Sequence, residues 1–390
     1  MKRVYLDYAA TTPIDRAVEA EMKPYFGRPP AGGFGNPNSL HSFGQEARGA
    51  VDIARERAAK ALGTGFENIV FTGSATEANN LALRGILKNY KLKTANKKIN
   101  PRIIVSAIEH ESVLETAEDL KDEGAEVIYL KVDRNGAADL KDLKKNLNHQ
   151  TVLVSVMHAN NETGIIQPVK EISKIVRDFR GKKDFPFFHT DAVQAFQFLD
   201  CKADNIGADL ITLSAHKIYG PKGTGLVYIR NKKFISAVIT GGGQESGLRS
   251  GTENVSGIAG FGKAIELADK NRKKESKRTS DLKGYFWKEL EKIYPKARLN
   301  SDAKNVLPNI LNIYFPGFSN SDLMIKLDMA GVAVSAGSAC LVYASKPSYV
   351  LKAMGYPDER ICSSLRFSFG KFVSKQDLTR ALKSVKIALK

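Results

Sequence analysis

The chain has 390 residues, of which 43% are hydrophobic and 26% are charged, and these values are ordinary for a globular protein. This length favours two domains around a large core, and the composition excludes a disordered or fibrous chain. A formal net charge of +17 would attract polyanions, but the densest basic groups, at 91–98 and 270–278, lack interleaved aromatic residues, so we expect solvated faces there and no direct nucleic-acid binding.

The first part of the chain predicts loops, a strand and two helices. Residues 5–13 form an extended start, and the Gly- and Pro-rich stretch at 27–37 is a loop. Apolar residues at helical spacing predict a helix over 42–62, which Gly63 ends. A strand over 68–72 follows, and the second helix begins behind it.

The turn between that strand and helix predicts an anion-binding site. Its sequence is Gly73-Ser74-Ala75-Thr76-Glu77, in which Ser74 and Glu77 have the spacing of a capping box. Free N–H groups and hydroxyls at a helix N-terminus favour a phosphate or a carboxylate. The alternative is a capped helix that binds nothing.

The alternation of strands and helices continues to residue 229. Apolar runs predict further strands over 102–106, 126–130, 152–157, 186–189 and 209–213, with helices over 112–122, 139–147 and 169–179 between them. Buried strands that alternate with helices are typical of a mainly parallel sheet covered on both faces. We therefore predict an α/β fold for this part.

Polar side chains follow the carboxyl ends of these strands. His110, Asn161, Asp191 and Lys217 each come after a different strand, and the turn at Ser74 belongs to the same edge of the sheet. Ligands of open α/β sheets bind at that edge. Each residue also has a structural explanation, as a helix cap or a turn residue, but their concentration at one edge favours a functional site.

Lys217 is the residue whose chemistry matters most at this edge. It stands in the stretch Ser214-Ala215-His216-Lys217-Ile218-Tyr219-Gly220-Pro221-Lys222-Gly223, directly after a predicted strand. A buried lysine favours its uncharged form, and the free amine is a nucleophile that can form a Schiff base. The alternative is a surface turn with a solvated lysine.

After residue 229 the pattern changes to a second, smaller unit. Its predicted elements are loops at 241–245 and 249–252, helices over 258–290, 322–330, 348–354 and 375–389, and strands over 309–314 and 365–369. The small residues from Ser335 to Ala339 precede Cys340. Small side chains pack little, which predicts a loop with an exposed thiol, and exposure is a condition of thiol reactivity. The alternative for Cys340 is a small buried hydrophobic residue.

The cysteines and the start of the chain favour a reducing compartment. Of the 3 cysteines, Cys201 and Cys362 lie in stretches that we predict to be packed, and no pair has the C-x-x-C spacing of a zinc or redox site. The start Met1-Lys2-Arg3 lacks the apolar region of a signal peptide, and no run reaches the roughly 20 apolar residues of a membrane span. We therefore expect a cytoplasmic protein without a membrane segment or a metal site.

Over nearly its whole length the chain resembles the cysteine desulfurases, pyridoxal-phosphate enzymes of the class V aminotransferase group. The matching stretches are Tyr5-Leu6-Asp7-Tyr8-Ala9-Ala10-Thr11-Thr12-Pro13, Phe34-Gly35-Asn36-Pro37, Ala75-Thr76-Glu77, Glu109-His110, Met157-His158-Ala159-Asn160-Asn161-Glu162, His189-Thr190-Asp191-Ala192-Val193-Gln194, the stretch from Ser214 to Gly223, Arg249-Ser250-Gly251-Thr252 and Ser338-Ala339-Cys340. Together these stretches are specific, although no single one would be.

The resemblance implies a PLP-dependent transferase fold of the aspartate aminotransferase type, class V. A large domain with a mainly parallel sheet, spanning 16–260, would bind the cofactor. Residues 1–15 would join 261–390 in a smaller α+β domain that carries the catalytic cysteine. The family also implies a homodimer.

The resemblance further implies a site for pyridoxal 5'-phosphate (PLP). Lys217 would form the Schiff base and move the α-proton of the substrate. Asp191 would pair with the pyridine nitrogen, and His110 would stack on the ring and serve as an acid or base. The other implied contacts are Asn161 and Gln194 at the ring hydroxyl, Ala75, Thr76, Ser214 and His216 at the phosphate, and Thr252 at the phosphate of the neighbouring subunit.

Two residues of the smaller unit complete the implied chemistry. Arg366 would bind the substrate carboxylate as a bidentate fork. The Cys340 thiolate would attack the sulfur of bound L-cysteine, release L-alanine and keep the sulfur as a persulfide for an acceptor protein in iron–sulfur cluster assembly or tRNA thiolation. The alternatives are a selenocysteine lyase or another class V enzyme and, more remotely, a basic nucleic-acid-binding protein.

Overall fold

The computed structural model of the protein describes residues 3–28, 33–94, 100–301, 304–337 and 347–390. Its strands are β1 Val4–Tyr5, β2 Ile69–Thr72, β3 Arg102–Ser106, β4 Glu126–Leu130, β5 Thr151–Ser155, β6 Phe187–Asp191, β7 Leu210–Ser214, β8 Gly225–Ile229, β9 Arg298–Leu299, β10 Ile310–Tyr314, β11 Val332–Ala333 and β12 Ser364–Ser368. Its α-helices are α1 Arg16–Met22, α2 Ser42–Leu62, α3 Ala75–Lys93, α4 Glu111–Asp122, α5 Leu140–Asn146, α6 Val169–Arg180, α7 Ala203–Ile206, α8 Val255–Ile293, α9 Asn320–Met329, α10 Tyr349–Ala353, α11 Asp358–Ile361 and α12 Lys375–Ala388.

The largest sheet has seven strands in the order β2-β8-β7-β6-β5-β3-β4. Strand β8 is antiparallel to β2 and β7, and the other pairings are parallel. Alternate side chains of β3 enter two different cores, since Ile104 packs in one and both Ile103 and Val105 pack in the other. Both faces of the sheet are therefore covered, and the predicted mainly parallel α/β sheet is confirmed.

The long helix α8 joins this sheet layer to the rest of the chain. It packs closely on α2, because a Cβ added to Gly262 would lie 2.6 Å from the Cα of Ala54. The bounds predicted for α2 agree with the structure, and α8 extends a few residues beyond its predicted range at both ends. Although α8 has 39 residues, neither it nor any other helix in the described ranges is long and apolar enough to cross a membrane.

A second core forms around the antiparallel sheet β12-β10-β9. The start of the chain belongs to it, because β1 pairs in parallel with β11 and Leu6 is buried there. Helix α8 contributes Ile265 to the first core and Phe286 to the second. The division of the chain at residues 15/16 and 260/261 stays a prediction.

Candidate active site

The predicted polar edge of the sheet surrounds a cavity of about 340 Å³. This volume lies within the range of small-molecule sites. The cavity is lined by Ala9, Ala10, Thr11, Ser74, Ala75, Thr76, His110, Ser112, Met157, Ala159, Asn161, Asp191, Val193, Gln194, Ser214, His216, Lys217, Lys222, Gly223, Thr224 and Arg366. Every predicted site residue except Thr252 and Cys340 therefore lines this one cavity.

The sheet topology explains this convergence. Asp191 and Ser214 are the last residues of the parallel strands β6 and β7, so both residues lie at the same edge of the sheet. Thr224 lies there for the opposite reason: it precedes β8, which runs antiparallel and therefore starts where its neighbours end. Thr224 was not predicted from the sequence, because only residues that follow strands were expected at this edge.

The turn before α3 presents the N-terminus of a long helix to the cavity. The Ser74 Oγ accepts from the N–H of Glu77, as a capping box requires. The second half of the predicted box is wrong, because the Glu77 carboxyl accepts from the N–H of Gly73 and pairs with Arg249 instead. The first N–H groups of a helix lack acceptors within it, so those at Ala75 and Thr76 favour an anion.

Lys217 points its amine at the start of the chain. It ends the 3-10 turn Ala215–Lys217, and its Nζ donates to the carbonyl oxygens of Ala9 and Ala10, at 2.7 Å each. The backbone then turns through Tyr219, whose φ of 67° is unusual for a residue other than glycine. Backbone strain of this kind is concentrated at functional sites.

His216, the neighbour of Lys217, is held as a neutral ring. Its Nδ1 lies 3.1 Å from the Thr11 hydroxyl. Burial lowers the pKa of His216 to about 4, and the positive charges of Lys217 and Lys222 act in the same direction. A neutral imidazole offers one donor and one acceptor, so it can donate a hydrogen bond to an anion at neutral pH.

A hydrogen-bond relay through Ser112 and Asn79 links His110 to Asp191, the two residues that are predicted to contact the ring. The His110 Nδ1 lies 2.9 Å from the Ser112 hydroxyl. The Asn79 Nδ2 donates to that hydroxyl and to Asp191 Oδ2, at 2.9 Å each. The other Asp191 oxygen accepts from the N–H of Val193. Sequence reasoning missed Asn79, which is a fully buried polar residue inside a predicted helix.

Three further polar residues line the cavity. Gln194 donates from Nε2 to the Ala9 carbonyl oxygen at 2.9 Å. Within the described residues, Asn161 Oδ1 and Thr224 Oγ1 are buried without a hydrogen-bond partner. Buried polar atoms are rarely left unsatisfied, so the Asn161 amide on the cavity wall favours a polar ligand there.

Arg366 forms the wall of the cavity that comes from the second core. It is 1% exposed, and it donates from Nη1 to the Asn161 carbonyl oxygen and from Nη2 to Asp7 Oδ1. Among the described atoms its Nε has no partner. The predicted fork is therefore in the cavity, although two of its donors are already engaged.

Glu109 precedes His110 in the sequence, and its carboxyl is buried. It is 0% exposed, and its Oε1 accepts from the N–H of Met157. Burial raises the pKa of Glu109 to about 8, and the nearby Asp191 acts in the same direction. At neutral pH this side chain is therefore mostly an uncharged acid.

The remaining predicted residues have different outcomes. Thr252 is exposed and is not on the wall of this cavity, as far as the described residues define it. Cys340 lies outside the described residues. Cys201 is buried as predicted, and burial raises the pKa of its thiol to about 12. The prediction for Cys362 is wrong, because it is exposed: α11 ends just before it. In the described ranges, no cluster of His, Cys, Asp and Glu could hold a metal ion.

The chain matches one family model over nearly all of its length. The model, described as Aminotransferase class-V, covers residues 4–381. The chain is 46% identical over 383 residues to a protein named cysteine desulfurase IscS from Dictyoglomus turgidum, covering 98% of this chain and 93% of the relative. It is 42% identical over 386 residues to a putative cysteine desulfurase IscS 1 from Bacillus subtilis, covering 99% and 98%.

Solved structures give the same result for the fold. A NifS-like protein aligns with a TM-score of 0.90 and 35% identity, covering 99% of this chain and 98% of that one. A NifS-like protein from Rickettsia africae aligns with a TM-score of 0.85 and 32% identity, covering 99% of each. Both alignments include the large sheet and the second core, because they span nearly the whole chain.

Proposed function

Because the chain belongs to the cysteine desulfurases of the class V aminotransferase family, which depend on PLP, we propose that it removes sulfur from L-cysteine and keeps it as a persulfide on Cys340. The convergence of Lys217, Asp191 and Arg366 on one cavity is the observation that carries the proposal. L-Cysteine and the Cys340 thiol give L-alanine and a Cys340 persulfide. Atoms and electrons balance without an outside oxidant or reductant.

The residues on the cavity wall fit PLP. A phosphate needs several N–H and O–H donors, which Ala75, Thr76, Ser214 and neutral His216 offer together at one end. The turn at Ser74 packs directly against the start of β8. This close approach requires a glycine at position 225, because an added Cβ there would lie 2.4 Å from the Ser74 carbonyl carbon.

The ring end of PLP would lie among His110, Asp191, Gln194 and Asn161. When bound, PLP supplies an electron sink for the bonds to the substrate Cα. Asp191 would hold a proton on the pyridine nitrogen, and Asn79 and Val193 fix both oxygens of Asp191 in place. The unsatisfied Asn161 Oδ1 would accept from the ring hydroxyl side. His110 would cover the ring face and exchange a proton with the substrate.

Lys217 would hold the cofactor covalently before substrate binds. Once released, its Nζ would take the proton from the substrate Cα and return it during alanine formation. The carbonyl oxygens of Ala9 and Ala10 fix the direction of this amine. The N-terminal segment thus positions the base from across the cavity.

Arg366 would bind the substrate carboxylate. Its guanidinium is buried, and burial strengthens a charge-assisted hydrogen bond. A carboxylate would take its unpartnered Nε and share or replace Asp7 at Nη2. The choice of arginine is therefore specific, because lysine has no planar array of donors.

Cys340 would perform the step that distinguishes this enzyme from a transaminase. Its thiolate would attack the substrate sulfur, so that an S–S bond forms as the substrate C–S bond breaks. The persulfide would then pass to an acceptor protein in iron–sulfur cluster assembly or tRNA thiolation. The function requires no membrane, and we place the protein in the cytoplasm.

We also propose a homodimer in which Thr252 of one protomer reaches the phosphate end in its partner. Thr252 is exposed beside Arg249, which is held by Glu77 at the first turn of α3. The exposed side chains of Val238 and Ile239, next to this turn, offer apolar surface for such a contact. Analytical ultracentrifugation of Thr252→Ala and wild type would separate the loss of dimerisation from the loss of cofactor affinity.

The test is alanine release from L-cysteine by the PLP-loaded protein, with and without reductant, beside Cys340→Ala. We expect alanine from the wild type only, with the PLP absorbance unchanged in the variant. Equal alanine from both would favour a lyase that does not use this thiol. A protein that stays colourless with added PLP and releases no alanine would contradict the enzyme function.

A further inference from the structure

The residues on either side of the segment that carries Cys340 lie close together. Residues 338–346 follow Gly337 and precede Pro347 and Ser348 in the sequence. A Cβ added to Gly337 would lie 3.8 Å from the Ser348 Cβ and 3.5 Å from Glu162 Oε2. Gly337 has a φ of 77°, a conformation in which a side chain would be strained. The two ends of the segment therefore meet beside the same carboxyl group.

The carboxyl group of Glu162 is bonded to one of these ends. The Ser348 hydroxyl donates to Glu162 Oε2 at 2.6 Å. The same hydroxyl accepts from the N–H of Leu351 and so caps α10, the first helix after the segment. Glu162 is 1% exposed, so water does not compete for this contact. A buried hydrogen bond is costly to break, because the polar group that is left behind has no water to replace its partner.

Glu162 itself is fixed to the cofactor side of the cavity. Its N–H donates to Asn160 Oδ1, and its carbonyl oxygen accepts from Asn312 Nδ2. The residue before it, Asn161, faces the cavity and holds Arg366 through its carbonyl oxygen. The backbone of Glu162 is thus held independently of its carboxyl, which is the group that reaches Ser348.

The N-terminal side of the segment is tied to the same arginine. Ser335 donates from Oγ to Asp7 Oδ2 at 2.8 Å, and Asp7 Oδ1 accepts from Arg366. Tyr349 adds a contact on the C-terminal side, because its hydroxyl donates to the Glu109 carbonyl oxygen next to His110. Both ends of the segment thus lie on residues that surround the proposed substrate.

We propose that Glu162 is a positioning residue: it holds Ser348, and with it the start of α10, beside Gly337, and so fixes the exit of the segment that carries Cys340 relative to the proposed substrate site. This inference rests on the proposed function. Glu162 acts through Ser348, not on the substrate. Misplacement of a reacting group by about 1 Å can cost about 100-fold in rate, so a carboxyl that anchors the segment at Ser348 has a large effect on sulfur transfer.

The test separates substrate binding from attack by Cys340. Glu162→Ala and Ser348→Ala are compared with wild type in single turnover with L-cysteine, using the PLP-loaded protein. Mass spectrometry follows the gain of one sulfur atom on Cys340, and absorbance follows the response of PLP to L-cysteine. We expect persulfide formation to fall at least about tenfold in both variants, with the amplitude and the concentration dependence of the absorbance change retained.

Coupling between the two residues is the sharper part of the test. If they act through one contact, the double variant is no slower than the slower single variant. Glu359→Ala is the matched control: it removes an exposed carboxyl that accepts from the Tyr314 hydroxyl in the same domain, and it should leave both measurements unchanged. Losses that add in the double variant, or a persulfide rate equal to wild type, would overturn the proposal. Parallel loss of the absorbance change would do so as well.

Hydrogen exchange tests the anchoring role of Glu162 without any turnover, so it can fail or succeed independently of the proposed function. Hydrogen exchange of the PLP-loaded protein should be faster over 349–354 in Glu162→Ala and unchanged over β5 and β7. This result supports the anchoring role even if the wild type forms no persulfide, in which case the proposed function alone fails. Exchange over 349–354 equal to wild type would overturn the anchoring role.

Discussion

The floor of the cavity and its wall at Arg366 are built in different ways. On the floor, Asp191 and Ser214 end neighbouring strands, and Lys217 follows within one turn. Their places follow from the direction of the strands. At the wall, Arg366 is held by Asp7 and by the carbonyl oxygen of Asn161, which are 359 and 205 residues away in sequence.

This difference assigns separate tasks to the two regions. The floor residues keep their geometry because the sheet beneath them is buried on both faces. The wall depends on hydrogen bonds among distant segments, including the two that hold the ends of the Cys340 segment. Floor variants should therefore affect the chemistry at the cofactor, and wall variants should affect substrate affinity and sulfur transfer.

The largest effect is expected from the floor, in Lys217→Ala. Loss of the amine removes both the covalent attachment and the group that moves the Cα proton, so alanine release should fall at least about 10³-fold. Absorbance should also lose the lysine-bound form of PLP. Lys222→Ala is the control, because Lys222 also lines the cavity, and we expect this variant to keep the lysine-bound absorbance. A Lys217 variant with alanine release near wild type would remove the distinction between floor and wall.

A smaller effect is expected at the wall, in Arg366→Lys. Lysine keeps the charge but not the planar fork, and one charge-assisted hydrogen bond contributes about 1.5–3 kcal/mol. We therefore expect KM for L-cysteine to rise about tenfold to a hundredfold, at 1.4 kcal/mol per factor of ten, with a smaller change in kcat. Arg360→Lys is the control, because Arg360 binds Asn300 and the carbonyl oxygen of Leu299, away from the cavity. A fall in kcat at constant KM would place Arg366 with the floor residues.

The sequence predicted the floor better than the wall for a physical reason. Strand periodicity and turn residues are local signals, and they identify the carboxyl ends of parallel strands without any knowledge of the tertiary structure. Thr224 was missed because its strand runs against its neighbours. Arg366 came only from a family resemblance, since no local pattern marks a residue that is held across the chain. The relay through Asn79 was missed because a polar residue in a helix gives no sign of its burial.

At the junction of the two regions, burial of Glu109 predicts a pH dependence of stability. Its pKa rises from 4.5 to about 8 on folding, so the folded state binds the additional proton between these values. This contribution to stability is fully present below pH 4.5 and is lost as the pH rises toward 8. The change is at most about 1.4 kcal/mol per pH unit.

Glu109→Gln tests this dependence, because glutamine resembles the uncharged acid. The free energy of unfolding, measured by urea titration from pH 5 to pH 8, should fall less steeply for the variant than for the wild type. The two curves should converge toward the acid end. Parallel curves would mean that Glu109 ionises in the folded protein as it does in the unfolded chain.

The smallest effect is expected from the two described cysteines, of which Cys201 is buried near the floor and Cys362 is exposed in the second unit. Cys201 is buried in the core beside the sheet, where burial raises its pKa to about 12, so it should resist iodoacetamide in the folded protein. Cys362 is exposed near Ser348 in the second unit, so it should be alkylated. Cys362→Ser should change alanine release by no more than about twofold, because a surface substitution away from a site has little effect. A larger loss would place Cys362 on the route of the sulfur from the substrate to the acceptor.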